Sequence, residues 1–528
     1  MMGIGHRLAV LLFFTLLVLV GYNVLDDYGI SWDESIQRRH GRVSLDYAAE
    51  KLGIEHETLE PNYDLEDYQW ANYGMIYQIL ASLIELNMGV EDDPFVYYRI
   101  RHLINFGLYL LALGCFYRML RLRWPERPWY PLLGTVMLTL SPRIFAHAFF
   151  NPKDHLLLVF YVIASFTLLR FLKVRSWSAL LTHAFATALA LNTRLPALII
   201  LFATVAILVW EQFTGGRKGY RELLMAASYP VVSLLLMIPF FPYLWEDTLS
   251  RLIGAFSEMS DFDWGGYNLL FGDRIAAVDV PAYYIPAWIV ITTPVAYVLL
   301  SLTGGLQTLR HSWVAIRRGR LWKDFATQCY FTQSGLSIGP IVVVILLGST
   351  LYNGWRHMHF VYPGLVYLAL VGFAYWRRLY PPVAAAILTI TLAVTAFDMV
   401  RYHPHQNVYF NYLIHGEPLV SRFDMDYWGV GYREALTRLA NSVPEGETRT
   451  VNCANWPCQD NLLSLPQPLR GRLRSEGDEN RADFLATNFI NSDIEAAFRH
   501  EGRYANPVIE IKPAGILTMG IYRLKSAE

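Results

Sequence analysis

Residues 195–210 read LPALIILFATVAILVW, and residues 383–397 read VAAAILTITLAVTAF. Neither run carries a charge. With their flanks, such runs approach the ~20 apolar residues that match the ~30 Å hydrocarbon core of a bilayer. They set the fold class: a polytopic α-helical membrane protein. The composition agrees. Of 528 residues, 54% are hydrophobic and only 17% charged, against about 25% charged in a soluble globular protein. Disorder, collagen, a small disulfide scaffold and an ordinary cytosolic enzyme are excluded. Lys and Arg number 44 against 45 Asp and Glu, so nothing in the charge balance points to nucleic acid, which would need a basic face. Four cysteines are too few for a disulfide framework.

Outward from those two runs, the pattern predicts about eleven transmembrane helices. They lie near 8–25, 100–119, 130–148, 154–173, 177–193, 195–212, 223–243, 284–303, 333–351, 358–376 and 381–399. The first resembles a signal peptide in position, but it has no small-residue cleavage site before Asp26 and reads as an anchor. Loop charge sets orientation. One set of loops carries Arg118, Arg121, Arg123 and Arg127, then Lys173 and Arg175, then Arg217, Lys218 and Arg221. It continues with Arg310, Arg317, Arg318, Arg320 and Lys323 and ends with Arg377 and Arg378. If the helices alternate, these loops share the side of the N-terminus, which is then cytoplasmic.

The outer face holds the segment 26–98, the loops near 149–153 and 352–357, the loop 244–283 and everything from 400 onward. Residues 1–400 therefore read as the transmembrane domain, with 26–98 as its first outer loop. Within that loop Asp33–Leu52 and Asn72–Asn87 read as helices, the second lying on or dipping into the membrane interface. Loop 244–283 brings Trp245, Phe256, Phe262, Trp264 and Tyr267, residues suited to the headgroup level. Residues 401–528 read as a small α+β extracytoplasmic domain, with strand-like runs at Thr448–Cys453, Val508–Lys512 and Ile516–Arg523 and a helical stretch near Asp493–His500. On that oxidising face Cys453 and Cys458 could form a local disulfide.

Three polar motifs fall on the outer face. In Ser31-Trp32-Asp33-Glu34, a capping box accounts for Ser31 and Glu34 but leaves Asp33 unexplained. Arg38, Arg39 and Arg42 follow, placed to pair with these carboxylates or with a lipid phosphate. In Asn151-Pro152-Lys153-Asp154-His155, Asn151 and Pro152 make an ordinary helix start. The helix before it carries Arg143 and His147 in apolar surroundings, where ionisable residues are functional candidates. The third motif is Trp355-Arg356-His357. Arginine suits phosphate because its planar fork donates two parallel hydrogen bonds; a snorkelling side chain is the plainer alternative. Arg194, in the turn between two predicted spans, is a weaker member of the set.

Carboxylates and cations gathered on one membrane face suit the transfer of a sugar from a lipid phosphate to a hydroxyl. A base takes the acceptor's proton, and fixed positive charge meets the departing phosphate. Phosphate leaves readily, so the paired carboxylates of glycoside hydrolysis are not required.

At this point the chain resembles the C-type glycosyltransferase (GT-C) superfamily, and within it family 39, the protein O-mannosyltransferases and the bacterial aminoarabinose lipid A transferase. The resemblance rests on Asp33-Glu34, on Ser141-Pro142 through Phe150-Asn151-Pro152-Lys153-Asp154, and on Arg356-His357 before Phe360-Val361-Tyr362-Pro363. Tyr409-Phe410-Asn411 and Asp426-Tyr427-Trp428-Gly429 add to it. It implies a GT-C fold and an inverting transferase that takes its sugar from a polyprenyl-phosphate donor. The acceptor would be a glycan, lipid or protein hydroxyl at the outer face of a bacterial inner membrane. By the same resemblance Asp33 is the general base and Glu34 assists. Lys153 and Arg356, with His357 and Arg194, bind the donor phosphate, and Asp154 orients Lys153 or holds a divalent cation. No β-trefoil-like triple repeat occurs in 400–528, which sets the chain apart from the mannosyltransferases. The competing expectation is a transporter or flippase of lipid-linked saccharides, which would place polar groups near the bilayer midplane and show repeated halves. A membrane-anchored assembly protein would leave Asp33, Lys153 and Arg356 without a common purpose.

Overall fold

A computed structural model describes residues 3–214, 217–260, 264–414, 418–490 and 494–524. The first half of the chain contributes α1 (Ile4–Asn23), α2 (Glu34–Lys51), α3 (Ile76–Met88), α4 (Pro94–Arg123), α5 (Trp129–Thr139), α6 (Pro142–Phe150), α7 (Asp154–Val174), α8 (Trp177–Leu191), α9 (Leu198–Thr214), α10 (Tyr220–Met237) and α11 (Thr248–Ser260). After a hairpin of β1 (Tyr267–Leu270) and β2 (Asp273–Ala276) come α12 (Tyr284–Thr292), α13 (Val295–Arg317), α14 (Phe325–Leu347), α15 (Tyr362–Leu379) and α16 (Pro381–Arg401).

All eleven predicted spans are helical, but not all are simple crossings. Among the described residues, eight helices are long and apolar enough to span a bilayer, which makes this a multi-pass membrane protein. The stretch read as 130–148 is two helices, α5 and α6, meeting at 69°. Pro142 begins α6 and has no N–H to continue the ladder of α5. The stretch 177–193 is the 15-residue α8, capped by Ser176, whose hydroxyl accepts the Ala179 N–H at 3.2 Å. The stretch 284–303 breaks before Pro294, between α12 and α13. Asn411 holds that break: its side-chain amide donates to the Val290 and Thr293 carbonyls and its N–H to that of Ile291.

Helices α13 and α15 approach backbone to backbone. A Cβ on Gly304 would lie 1.8 Å from the Leu368 carbonyl oxygen, and one on Gly372 2.1 Å from that of Leu300. Small residues at such crossings are how helices pack where no hydrophobic effect drives them together.

The bundle has two chemically different ends. The basic loops join the C-terminal ends of α4, α7, α9, α13 and α15 to the helices that follow. There Arg175 pairs with Glu211 and approaches Glu222 at 3.9 Å, and Trp322 donates to the Thr214 hydroxyl at 2.7 Å. The opposite ends carry α2, α3, α11, the hairpin and the C-terminal region. Turn residues Phe271 and Gly272 both have positive φ, the geometry a two-residue hairpin demands. Phe262 lies outside the described residues; Trp264 stacks on Tyr352 with ring centroids 4.4 Å apart.

The core built by the spans runs on to Val430, and a second core opens at Tyr432. That second core joins α17 (Gly431–Ser442) and α18 (Cys458–Leu463) to one face of a five-stranded sheet. Its strands are β3 (Arg449–Cys453), β4 (Leu473–Ser475), β5 (Phe484–Thr487), β6 (Pro507–Ile511) and β7 (Met519–Arg523), in the order β4-β3-β5-β7-β6. β3 is parallel to β4 and β5; β7 is antiparallel to β5 and β6. A short α19 (Ile494–Arg499) follows β5, while Asp493 lies outside the described residues. Cys453 and Cys458 form a disulfide.

Candidate active site

Asp33, Lys153, Asp154, Arg194 and Arg356 come from four separate parts of the chain and meet at one end of the bundle. Asp33 immediately precedes α2. Lys153 and Asp154 open α7, where the Asn151 side-chain oxygen accepts their N–H groups at 3.1 and 2.8 Å. The helix-start reading of Asn151 therefore describes a real bond, and that bond is also what presents the two charged residues. Arg194 lies just before the short turn Leu195–Ala197 that leads into α9, and Arg356 begins the helical turn Arg356–Val361 that leads into α15.

One guanidinium joins the two carboxylates. Arg356 Nη1 donates to Asp154 Oδ2 at 3.1 Å and reaches Asp33 Oδ2 at 3.4 Å. Arg194 pairs with the other oxygen of Asp154. Asp154 is thus held by two arginines with its side chain 1% exposed, whereas Asp33 keeps 19% of its side chain open. The Arg356 guanidinium is backed by the rings of Trp428 and Tyr352, at 4.8 and 5.0 Å. Lys153 extends its ammonium over the Tyr73 ring at 4.0 Å. Burial, reinforced by the charge of Arg194, lowers Lys153 to about 7. Beside it a small cleft is bounded by Gln37, Tyr73, Gln78, Lys153 and Asn192.

The remaining expected residues border the cluster without joining its ion pairs. Glu34 is buried and faces its own loop: Oε2 accepts the Ser31 N–H at 2.7 Å and Oε1 meets His102 at 2.9 Å. It builds the turn that carries Asp33. His357 lies against Tyr352 with ring centroids 4.6 Å apart, and neither ring nitrogen has a hydrogen-bond partner among the described residues. The arginines of α2 pair with neither Asp33 nor Glu34. Arg38 binds Glu85 and stacks on Tyr97, Arg42 binds Glu60, and Arg39 lies over Tyr63. Arg143, inside the span, donates to the Tyr409 carbonyl at 2.9 Å and lies over Phe410, a structural use of a buried charge. Trp428 enters the sequence reading only as part of Asp426-Tyr427-Trp428-Gly429, and Tyr73 and Tyr352 do not enter it; in a chain that is 15% aromatic, their spacing carries no distinguishing signal.

The carboxylates that would ligate a divalent cation are both engaged by guanidinium groups. Among the described residues no group of three His, Cys, Asp or Glu side chains is arranged to hold a metal. Both carboxylate oxygens of Asp154 are taken, one by Arg194 and the other by Arg356.

No protein-family profile matches the chain, and no curated protein matches it. Solved structures do. The archaeal oligosaccharyltransferase AglB from Archaeoglobus fulgidus, in complex with an inhibitory peptide and a dolichol-phosphate, superposes with a TM-score of 0.51 at 12% identity, over 93% of this chain and 70% of that one. The Archaeoglobus fulgidus oligosaccharyltransferase in the apo form gives 0.45 at 10% identity, over 96% and 74%. Its complex with Zn and sulfate gives 0.45 at 11% identity, over 96% and 72%. At such identities the likeness concerns the fold. The chain has the GT-C fold shared with the dolichol-phosphate-bound oligosaccharyltransferase.

Proposed function

We propose that the protein is a glycosyltransferase of the family 39 type, which moves a sugar from a polyprenyl-phosphate carrier to an acceptor hydroxyl with inversion. The observation that carries this reading is the bridge from Arg356 to both Asp33 and Asp154, with Arg194 and Lys153 beside it. The archaeal structure of the same fold holds a dolichol-phosphate, a lipid phosphate of the class that such a cluster suits.

The roles follow from exposure and charge. Arg356, Arg194 and Lys153 take the donor phosphate. Asp33, the more open carboxylate, receives the proton of the acceptor hydroxyl. The acceptor oxygen bonds to the anomeric carbon as the bond from that carbon to the phosphate oxygen breaks. The electron pair stays on the phosphate, where the cations stabilise the new charge. Asp154 orients the two arginines. No step is routed through a metal. Three cations against two carboxylates leave one positive charge when Lys153 is protonated, which balances the single charge of a sugar phosphodiester. A diphosphate carrier brings more negative charge than the cluster offsets.

The same reading places the site at the outer face of a bacterial inner membrane, with the basic loops and N-terminus in the cytoplasm. The transporter alternative needs its polar groups at mid-depth, whereas these five lie at helix ends.

The test is to incubate purified protein with a panel of undecaprenyl-monophosphate and undecaprenyl-diphosphate sugars and follow sugar release or transfer by mass spectrometry. Turnover confined to the monophosphate sugars is expected. Turnover of the diphosphate sugars alone refutes the donor assignment, and Asp33→Asn with full turnover refutes the base.

A further inference from the structure

The loop that delivers Asp33 is gripped from the C-terminal region. Asn461, on α18, treats the Ile30 peptide as a neighbouring strand would. Its Oδ1 accepts the Ile30 N–H and its Nδ2 donates to the Ile30 carbonyl, both at 2.9 Å. The side chain is completely buried, and a further bond at 3.1 Å to the Pro457 carbonyl fixes its amide plane. One residue earlier, Gly29 is required for contact: a Cβ there would lie 2.2 Å from the Val430 carbonyl oxygen and 2.9 Å from Asn461 Oδ1. Two residues later the Trp32 N–H donates to the Trp428 carbonyl at 3.0 Å. The next residue is Asp33.

The grip is itself anchored. The Cys453–Cys458 disulfide links the last residue of β3 to the first of α18. Asp426 accepts the Val430 and Gly431 N–H groups and the Asn407 side-chain amide, which shapes the turn that contains Trp428. Trp428 serves both partners of the Asp33–Arg356 contact, because its carbonyl holds Trp32 while its ring backs Arg356.

We propose that Asn461 is a positioning residue for the transfer reaction: it fixes the Ile30 backbone and thereby sets Asp33 against Arg356. This gives the C-terminal domain a direct part in catalysis, and it rests on the reading of Asp33 as the base. A side chain displaced by about 1 Å can slow an enzyme on the order of 10²-fold. Substrate affinity, which depends on Arg356, Arg194 and Lys153, stays as it was.

The experiment compares full-length wild type, Asn461→Leu and Asn461→Asp in lipid nanodiscs. Asn461→Leu removes both Ile30 bonds at similar volume; Asn461→Asp keeps the acceptor and loses the donor. Hydrogen exchange, which needs no substrate, is expected to quicken at least about tenfold over residues 29–33 in Asn461→Leu, less in Asn461→Asp, and nowhere in the transmembrane helices. With the undecaprenyl-monophosphate sugar that the wild type turns over, kcat should fall on the order of 10²-fold in Asn461→Leu. KM and the affinity for undecaprenyl phosphate should stay within about twofold, a split that generalised damage would not give. Unchanged exchange at 29–33, or unchanged kcat in a folded variant, overturns the proposal. So does a loss of affinity that matches the loss of kcat. If Asn461→Leu does not fold, Asn461→Asp decides by the same criteria. A fully active Asp33→Asn defeats the functional reading instead, whatever Asn461 does.

Discussion

Charge is scarce in this chain, so each ionised side chain at the Asp33 end of the bundle has to be explained by a partner. Asp33→Asn keeps the shape of the side chain and removes the base; turnover should fall at least about 10²-fold with carrier affinity retained, as read by single-turnover assay and lipid binding. Arg356→Ala should weaken binding of undecaprenyl phosphate by roughly 1.5–3 kcal/mol, the worth of a charged hydrogen bond, measured by microscale thermophoresis. Lys153 adds a pH signature. Burial has lowered it to about 7, so it is charged below that value and loses its proton above it. A bound phosphodiester favours the charged form. Affinity for undecaprenyl methyl phosphate, whose single charge does not titrate, should therefore decline as pH climbs from about 6 to about 9, tenfold for each unit by which the anion raises the lysine. Lys153→Arg should flatten that profile. Activity should survive chelation, because both oxygens of Asp154 are already engaged by guanidinium groups; loss on chelation with rescue by added cation would contradict this. The charged members of the cluster were legible from their rarity and their shared face. Their pairing was not, since Arg356 and Asp154 lie 202 residues apart. Glu34 shows the limit of adjacency: two neighbouring acids at a helix start point in different directions, and only Asp33 faces the cluster.

Helices were readable from apolar runs, but their interruptions were not. A run such as 130–148 looks continuous because both α5 and α6 are apolar, and only the chain geometry at Pro142 separates them. The break before Pro294 is similar, with Asn411 supplying the missing bonds from over a hundred residues away. In the C-terminal sheet, β3, β6 and β7 match strand-like runs. Strand β5 was missed because all four of its residues are buried, and a strand covered on both faces shows no alternation. Strand β4 has only three residues, too few for any period. The α13–α15 crossing yields a prediction at this level. Gly304→Val would push a side chain into the Leu368 carbonyl and should destabilise the bundle by about 1–3 kcal/mol, as overpacking does. Thermal unfolding in detergent would show a lower midpoint, while Gly305→Val, whose nearest neighbour is the flexible end of Ile338, should be much milder.

Across the molecule, one end is basic and bare, and the other carries every long insertion, the charged cluster and the sheet domain. This asymmetry leads to a topology test in a background without Cys115 and Cys329. Glu445→Cys on the sheet domain should react with a membrane-impermeant maleimide on intact cells, and Arg318→Cys only after permeabilisation; the reverse pattern would invert the molecule. The overall plan was visible because loop charges alternate with apolar runs over several hundred residues, which local breaks do not disturb. The bend between α5 and α6 has a further consequence. An 11-residue helix rises only about 16 Å, and nine more residues inclined at 69° add about 5 Å along its axis. The loop that bears Lys153 is thus reached by a short, bent climb, whereas the 21-residue α7 that leaves it is about 32 Å long. The turn that carries Lys153 and Asp154 therefore rests on one full-length span and one short, cranked strut.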